Sequence, residues 1–364
     1  MLYNVDCMQV LKNIATESID KEYGMENTRT AEELKQLQAL PLDIKIKKTQ
    51  LRIREAVQEF GEDGLYVSFS GGKDSQVLLD IIRKMGLNKI PVVWCNTGLE
   101  DKGSRTIAQK EADIILRPEL TFRDVLTKYG YPVLSKELAT IVEQSRQALK
   151  KYGKMLEWQY QRWNDLYNLY GKGSFYNKGK YKWLLDAPFR ISNQCCKVNK
   201  EKPLIIYQRE YKQIPIIATM ASESLRRRTA WLKTGCNAFN TSIKSSKPLS
   251  FWTEKDIYIY ILENDIKIAE EYGKIKYKKD LFGNYNKVKL TGDLRTGCTF
   301  CLFGISQDVD RLVRLKEREP KIYNYIMSGG EFDSENMWIP NDKGLGYKFV
   351  IDWLNEHLKK KILY

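Results

Sequence analysis

Apolar residues along this chain alternate between helical and strand-like spacing, and the switches mark its elements. From Ile44 to Phe60 they recur at helical spacing, which puts Leu51, Ile53, Ala56, Val57 and Phe60 on the side expected to be buried. Gly61–Gly64 ends that pattern. Leu65–Phe69 is a short apolar run suited to a buried strand, and Gly71 with Gly72 marks a tight turn. Gln76–Met85 then returns to helical spacing, with Val77, Leu78, Ile81 and Ile82 inward. Ile90–Cys95 reads as a second strand, Ile114–Leu116 as a third, and Ile214–Met220 as a fourth after the Lys202–Arg209 segment. Strand, turn, helix and strand in that order open a parallel α/β sheet. A helix around Thr30–Leu40 precedes it and stops at Pro41, because proline cannot continue a helix.

The expected fold class is therefore α/β, a mostly parallel sheet flanked by helices, with helical additions. Residues 1–40 are read as peripheral helices. Residues 41–265 form the α/β domain, and 266–364 a largely helical C-terminal region that is turn-rich near Gly329–Gly344. Lys136–Leu185 interrupts the α/β domain and reads as an insertion. It holds ten Lys/Arg against four acidic residues, interleaved with Trp158, Tyr160, Trp163, Tyr167, Tyr170, Phe175, Tyr176, Tyr181 and Trp183. Glu137–Tyr170 is expected to be helical and Gly171–Gly179 a basic loop. Such a segment can stack on bases and track phosphates of DNA or RNA. The plainer reading is a helical aromatic core with its charges in water.

Charge adds to the picture. The 364 residues carry 60 basic and 46 acidic side chains, a net charge of +14, which favours polyanionic partners without choosing among them. No run of 18 uncharged apolar residues is present and Met1–Asp6 does not open a secretory signal, so no membrane partner and a cytoplasmic location are expected. In that setting seven cysteines, at 7, 95, 195, 196, 236, 298 and 301, argue against a disulfide framework.

The strongest motif is Val67-Ser68-Phe69-Ser70-Gly71-Gly72-Lys73-Asp74-Ser75, placed between an apolar strand and a helix. A helix N-terminus offers backbone N–H groups to an anion. Gly71 and Gly72 let the backbone turn and approach closely. Ser70 and Ser75 can donate to phosphate oxygens, Lys73 supplies a charge, and Asp74 can hold Mg2+ or position the loop. The motif is neither a Walker A loop nor G-x-G-x-x-G. Cys195-Cys196 and Cys298-x-x-Cys301 supply four thiolates, the number that ligates a [4Fe-4S] cluster. Their spacing leaves a four-thiolate zinc site equally open. Arg190, Lys197 and Lys200 can offset the charge of such a site. Cys236 is a spare thiol, read as nucleophile, substitute ligand or core residue; Cys7 and Cys95 are read as non-ligands.

Ser70–Ser75 resembles the SGGKDS loop of the PP-loop, or adenine nucleotide α-hydrolase, superfamily. The resemblance extends to Asn96-Thr97-Gly98-Leu99-Glu100, to Arg190–Pro203 with its Cys-Cys pair, and to the arginine-rich Ala221–Arg228. It continues through Lys247-Pro248-Leu249 with Trp252-Thr253 and Asp256, and Gly297-Cys298-x-x-Cys301. Across roughly 41–310 the chain is similar to the phosphoadenylyl-sulfate (PAPS) reductase-like family, and also to DNA-phosphorothioation members of the group. The resemblance implies a Rossmann-like nucleotide-binding fold. ATP or an adenosine phosphosulfate compound would lie along Ser68, Ser70–Ser75, Thr97, Gly98, Leu99, Glu100 and Arg226, Arg227, Arg228. It also tips the cysteines toward [4Fe-4S].

The reductases of this family use a C-terminal cysteine near a histidine to attack sulfur. Here no cysteine follows Cys301, and the one histidine, His357, has no cysteine neighbour. The preferred expectation is an ATP-using, Mg2+-dependent enzyme that adenylylates a substrate for sulfur transfer, with Lys73, Asp74 and Cys236 as catalytic candidates. The alternatives are thiol-dependent reduction of adenosine phosphosulfates, and a nucleic-acid-binding or assembly subunit. A sulfur-donor protein or thiol reductant, and a second copy of the chain, complete the expected partners.

Overall fold

The computed structural model describes residues 29–160, 163–164, 178–281, 283 and 285–364. Cys7, Tyr167, Tyr170, Phe175 and Tyr176 lie outside the described residues, as does most of the expected Gly171–Gly179 loop. The chain divides into two compact units. The first comprises residues up to Trp94, Lys102–Leu116 and Ile206–Thr296; the second comprises Cys95–Asp101, Arg117–Ile205 and Gly297–Tyr364.

The first unit is built on a six-stranded sheet. Its spatial order is Ile114–Leu116, Val92–Cys95, Leu65–Phe69, Ile214–Ile217, Ser245–Ser246, Asn237–Ala238. Leu65–Phe69 is central and runs parallel to both neighbours, with Val67 opposite Val92 on one side and Ile216 on the other. Ile214–Ile217 is also parallel to Ser245–Ser246, and Asn237–Ala238 runs antiparallel to Ser245–Ser246. Central strands of a parallel sheet are covered on both faces, and Leu65, Tyr66 and Val67 are all fully buried. The fold class is the one the sequence pattern implies.

The helix Lys73–Lys84 buries Val77, Leu78, Ile81 and Ile82, as its spacing requires. The helix Leu42–Phe60 departs from expectation at Leu51, which is 47% exposed. Its buried stripe is Lys45, Thr49, Ile53 and Ala56, a row at spacings of four and three in which Leu51 has no place. Lys45 Nζ lies 2.6 Å from Asp256 Oδ2, both inside the protein. Asp256 also completes a capping box with Thr253 at the start of the helix Glu254–Glu263. The indole N–H of Trp252 donates to Thr49 Oγ1 at 2.8 Å. The Trp252-Thr253-x-x-Asp256 signature is thus a folding device: it caps one helix and locks it to another.

The second unit packs the helices Phe122–Tyr129, Lys136–Tyr152, Arg311–Arg318, Pro320–Met327 and Tyr347–His357 around Tyr131, Trp163, Phe189 and Tyr347. Lys136–Tyr152 is shorter than the helix expected over Glu137–Tyr170. Gly153 ends it in the left-handed conformation, φ 68°, where glycine carries no Cβ penalty. Arg146, one of the basic residues of this segment, is turned inward. Its guanidinium donates to the carbonyls of Leu184, Leu185, Ala187 and Phe189, and burial lowers its pKa to about 10. Trp163 is fully buried with its indole N–H on Ser145 Oγ, and Trp183 stacks on His357. Trp158 remains 44% exposed. Among the described residues, no helix is long and apolar enough to cross a membrane.

Candidate functional site

The glycine turn belongs to the first unit. Gly71 has φ 71°, and a Cβ there would sit 2.0 Å from the Ser104 carbonyl oxygen, so conformation and space both demand glycine. The hydroxyls of Ser70 and Ser75 are 3.1 Å apart, and Ser75 Oγ donates to the Gly72 carbonyl at 2.8 Å. Gly72 N–H donates to Ser70 Oγ at 3.3 Å. Ser68 lies in the central strand two residues before the turn. The turn leads into the first turn of a helix, whose amides lack intrahelical acceptors. The Lys73 amide instead donates to the Tyr272 hydroxyl at 3.2 Å, and that hydroxyl lies 2.6 Å from Thr296 Oγ1.

Lys73 is 3% exposed. Its Nζ is 3.1 Å from Asp74 Oδ1 and 3.7 Å from Glu254 Oε1, with the rings of Tyr258 and Tyr272 each under 6 Å away. Burial disfavours the ammonium, but Asp74, Tyr272 and Glu254 more than offset it and hold the Lys73 pKa above the ordinary lysine value. Burial raises the Asp74 pKa despite Lys73. A ligand phosphate at this ammonium would compete with Asp74. Tyr272, Tyr258, Glu254 and Thr296 were not evident from the sequence, where nothing links them to the motif.

The arginine stretch opens the helix Leu225–Thr234, with Ser224 as its cap. Arg227 pairs with Glu223, one turn back. All three side chains, Arg226, Arg227 and Arg228, are exposed. Lys247 is half-buried, and burial together with the Arg227 charge lowers its pKa. Cys236 is buried in the core of the first unit, where the Ser250 hydroxyl donates to its Sγ at 3.2 Å. It also lines a cavity of about 560 Å³ with Arg29, Arg52 and Glu55.

The second unit brings all four motif cysteines to one small cavity. Cys195, Cys196, Cys298 and Cys301 line it with Leu99, Phe122, Pro132, Asn199 and Lys200. The adjacent pair converges because it sits on a helical turn, Gln194–Cys196, that widens into a π-helix over Lys197–Glu201. The Cys298–Cys301 turn closes through Cys301 N–H to the Cys298 carbonyl, and Arg311 donates to the carbonyls of both residues. A hydrogen bond between the adjacent thiols pushes Cys195 up and Cys196 down, to about 6. Burial raises Cys298, and raises Cys301 to about 11. The charge beside Cys298 raises the Lys200 pKa in return. Of the three cations expected near the cysteines, Lys200 is there. Arg190 instead pairs with Asp333 and Glu335, and Lys197 is exposed.

The Asn96–Glu100 segment belongs to this second unit. Thr97 Oγ1 donates to Glu100 Oε1 at 2.7 Å, Gly98 has φ 73°, Leu99 lines the cysteine cavity, and Glu100 bridges to Cys298 through the backbone. Cys95 donates its thiol hydrogen to the Asn199 carbonyl, and burial raises its pKa to about 11. Among the described residues, no three His, Cys, Asp or Glu side chains close on a point suited to a single metal ion.

The sequence profile of the phosphoadenosine phosphosulfate reductase domain matches residues 64–165 and 147–278, together more than half of the chain. A solved structure, the PAPS reductase from Candida auris in complex with phosphate, is similar at 16% identity and a TM-score of 0.35, over 67% of this chain and 91% of that one. No curated protein matches by sequence. The matched residues contain the glycine turn, the Cys-Cys pair and the arginine stretch, and this chain belongs to the phosphoadenosine phosphosulfate reductase domain family, a family of nucleotide-binding enzymes of sulfur metabolism.

Proposed function

We propose that this protein binds ATP with Mg2+ at Ser70–Ser75, adenylylates a substrate with release of pyrophosphate, and so prepares it for sulfur transfer. The observation that carries the reading is the glycine turn itself: a buried strand, a left-handed Gly71 and a helix N-terminus with a caged lysine. Backbone amides and Lys73 would stabilise charge on the transferring phosphoryl group. A substrate oxygen would attack the α-phosphorus as pyrophosphate leaves, and a sulfur donor would later displace AMP. The state of the remaining thiols favours this route over thiol-driven reduction. Among the described residues, Cys95 is buried with its pKa raised to about 11, and Cys236 is buried with the Ser250 hydroxyl on its sulfur, although it also lines a cavity.

Cys195, Cys196, Cys298 and Cys301 would hold a [4Fe-4S] cluster. Four thiolates around one partly apolar cavity fit that group, in which each sulfur binds a different iron. Zinc on the same four thiolates is the second reading, and the resemblance to the reductase family weighs toward the cluster. When bound, the cluster would position sulfur or tie the second unit together. Anaerobically purified protein should contain about four iron and four acid-labile sulfide per chain, and should release pyrophosphate and AMP from ATP in the presence of acceptor. Sulfite release from an adenosine phosphosulfate, with no use of ATP, would overturn the adenylylation reading in favour of reduction.

A further inference from the structure

Ile275–Lys279 and Tyr285–Leu290 form an antiparallel ribbon in the first unit. Its inner side is anchored: Leu290 is buried with Tyr258 and Tyr272, and Ile275 and Val288 pack against them. Its outer side is lysine. Lys274, Lys276, Lys278, Lys287 and Lys289 are all exposed, and none has an ion-pair partner among the described residues. Lys276, Lys278, Lys287 and Lys289 line a groove of about 600 Å³ with Ile275 and Tyr277.

Two features show that this face works against folding. Lys276 stands directly opposite Lys289, and like charges in that arrangement destabilise a strand pair. The register also slips between Lys276 and Lys278, where the partner strand carries Lys287 at φ 46°. That backbone region suits glycine, and a bulge is a device for re-aiming a side chain. A lysine kept in a strained position, on a face of unneutralised lysines, calls for an external polyanion.

We propose that this ribbon docks on the phosphate backbone of duplex DNA. Residues two apart on one strand lie ~6.8 Å apart, a spacing suited to successive phosphates, and a two-stranded ribbon fits the width of a duplex major groove. Tyr277 and Tyr285 are turned edge-to-face on each other, and Lys279 lies over the Tyr285 ring. They do not form the open stacking platform that a single strand would use. The lysines run along both strands rather than gathering beside the exposed Leu281 at the hairpin tip, and the vesicle arm below tests an anionic membrane.

The test is binding of the full-length protein to a short mixed-sequence DNA duplex across a salt series, with the matching single strand and phosphatidylserine vesicles as parallel arms. The unaltered protein should prefer the duplex, with affinity falling steeply as salt rises. Replacing Lys276, Lys278, Lys287 and Lys289 together with Gln should flatten the salt slope by about 3 to 4, near 0.9 for each phosphate no longer neutralised. Lys287→Gly alone should weaken duplex binding without lowering the melting temperature, which separates a binding loss from a folding defect. Absence of duplex binding, preference for the single strand or the vesicles, or an unchanged slope in the fourfold variant would overturn the proposal.

Discussion

In the first unit, the residues from Ser70 to Ser75 supply most of one another's hydrogen bonds, with Tyr272 as the distant acceptor for the Lys73 amide. In the second unit, the cysteines arrive in two pairs far apart in sequence, and residues outside both pairs hold them. Glu100 bridges to Cys298, and Arg311 fastens the Cys298–Cys301 turn. A local turn fails when its own backbone is disturbed. A site assembled from distant segments fails when its scaffold is disturbed, even with every ligand in place.

The sharpest way to break the first is Gly71→Ala. The added Cβ would enter the left-handed region and strike the Ser104 carbonyl, a backbone atom that cannot swing aside. The expected loss is about 2–4 kcal/mol of stability, with nucleotide binding abolished in a calorimetric titration. Iron content should persist, because no cysteine of the quartet belongs to that unit. Loss of iron together with nucleotide binding would show that the two centres do not fail separately.

The corresponding change in the second unit is Arg311→Ala, which leaves all four thiols intact. It removes the donors to the Cys298 and Cys301 carbonyls, and charge-assisted bonds of this kind contribute about 1.5–3 kcal/mol. Outer partners of metal ligands typically change affinity by about 10–100-fold. Iron retention under chelator challenge should therefore fall by about that factor, while ATP affinity stays unchanged. Retention equal to the unaltered protein would mean that the Cys-x-x-Cys turn holds itself.

The same contrast explains what could be read from sequence. Four strands of the sheet, the helix behind the glycine turn and the turn itself are set by spacing over a dozen residues and stand where the pattern implies, while the two-residue strands Asn237–Ala238 and Ser245–Ser246 are too short to leave a pattern. Leu51 was misread because the helix follows a stripe fixed by Lys45, and a lysine on a buried face is not expected until Asp256, far along the chain, supplies its partner. The end of the long helix at Gly153 was missed because an isolated glycine in a helical pattern is ambiguous until its φ is known. Tyr272 reaches the Lys73 amide from 199 residues away, a separation that carries no local signal. The Asn96–Glu100 segment resembles a nucleotide loop, yet its described partners lie in the second unit with the cysteines. Arg146 fits neither reading of its basic segment: it faces neither water nor a polyanion but is spent on five bonds to carbonyls.

The smallest expected effect on stability concerns the arginine stretch, and it tests whether exposed charge in the first unit serves a ligand or only the surface. Arg227 shares its charge with the half-buried Glu223, and an ion pair whose arginine stays in solvent contributes about 1 kcal/mol. Arg227→Gln should therefore move the melting temperature little and leave nucleotide affinity close to that of the unaltered protein. Arg226 and Arg228 have no acidic partner among the described residues, so their forks remain open to a phosphate or sulfate. Changing both to Gln should leave the melt unaltered while weakening ATP or adenosine phosphosulfate binding by about tenfold, the equivalent of one charge-assisted hydrogen bond of ~1.4 kcal/mol. Equal affinity in the double variant would assign these arginines to the solvated start of a helix, and the anion would then rest on the glycine turn and Lys73 alone.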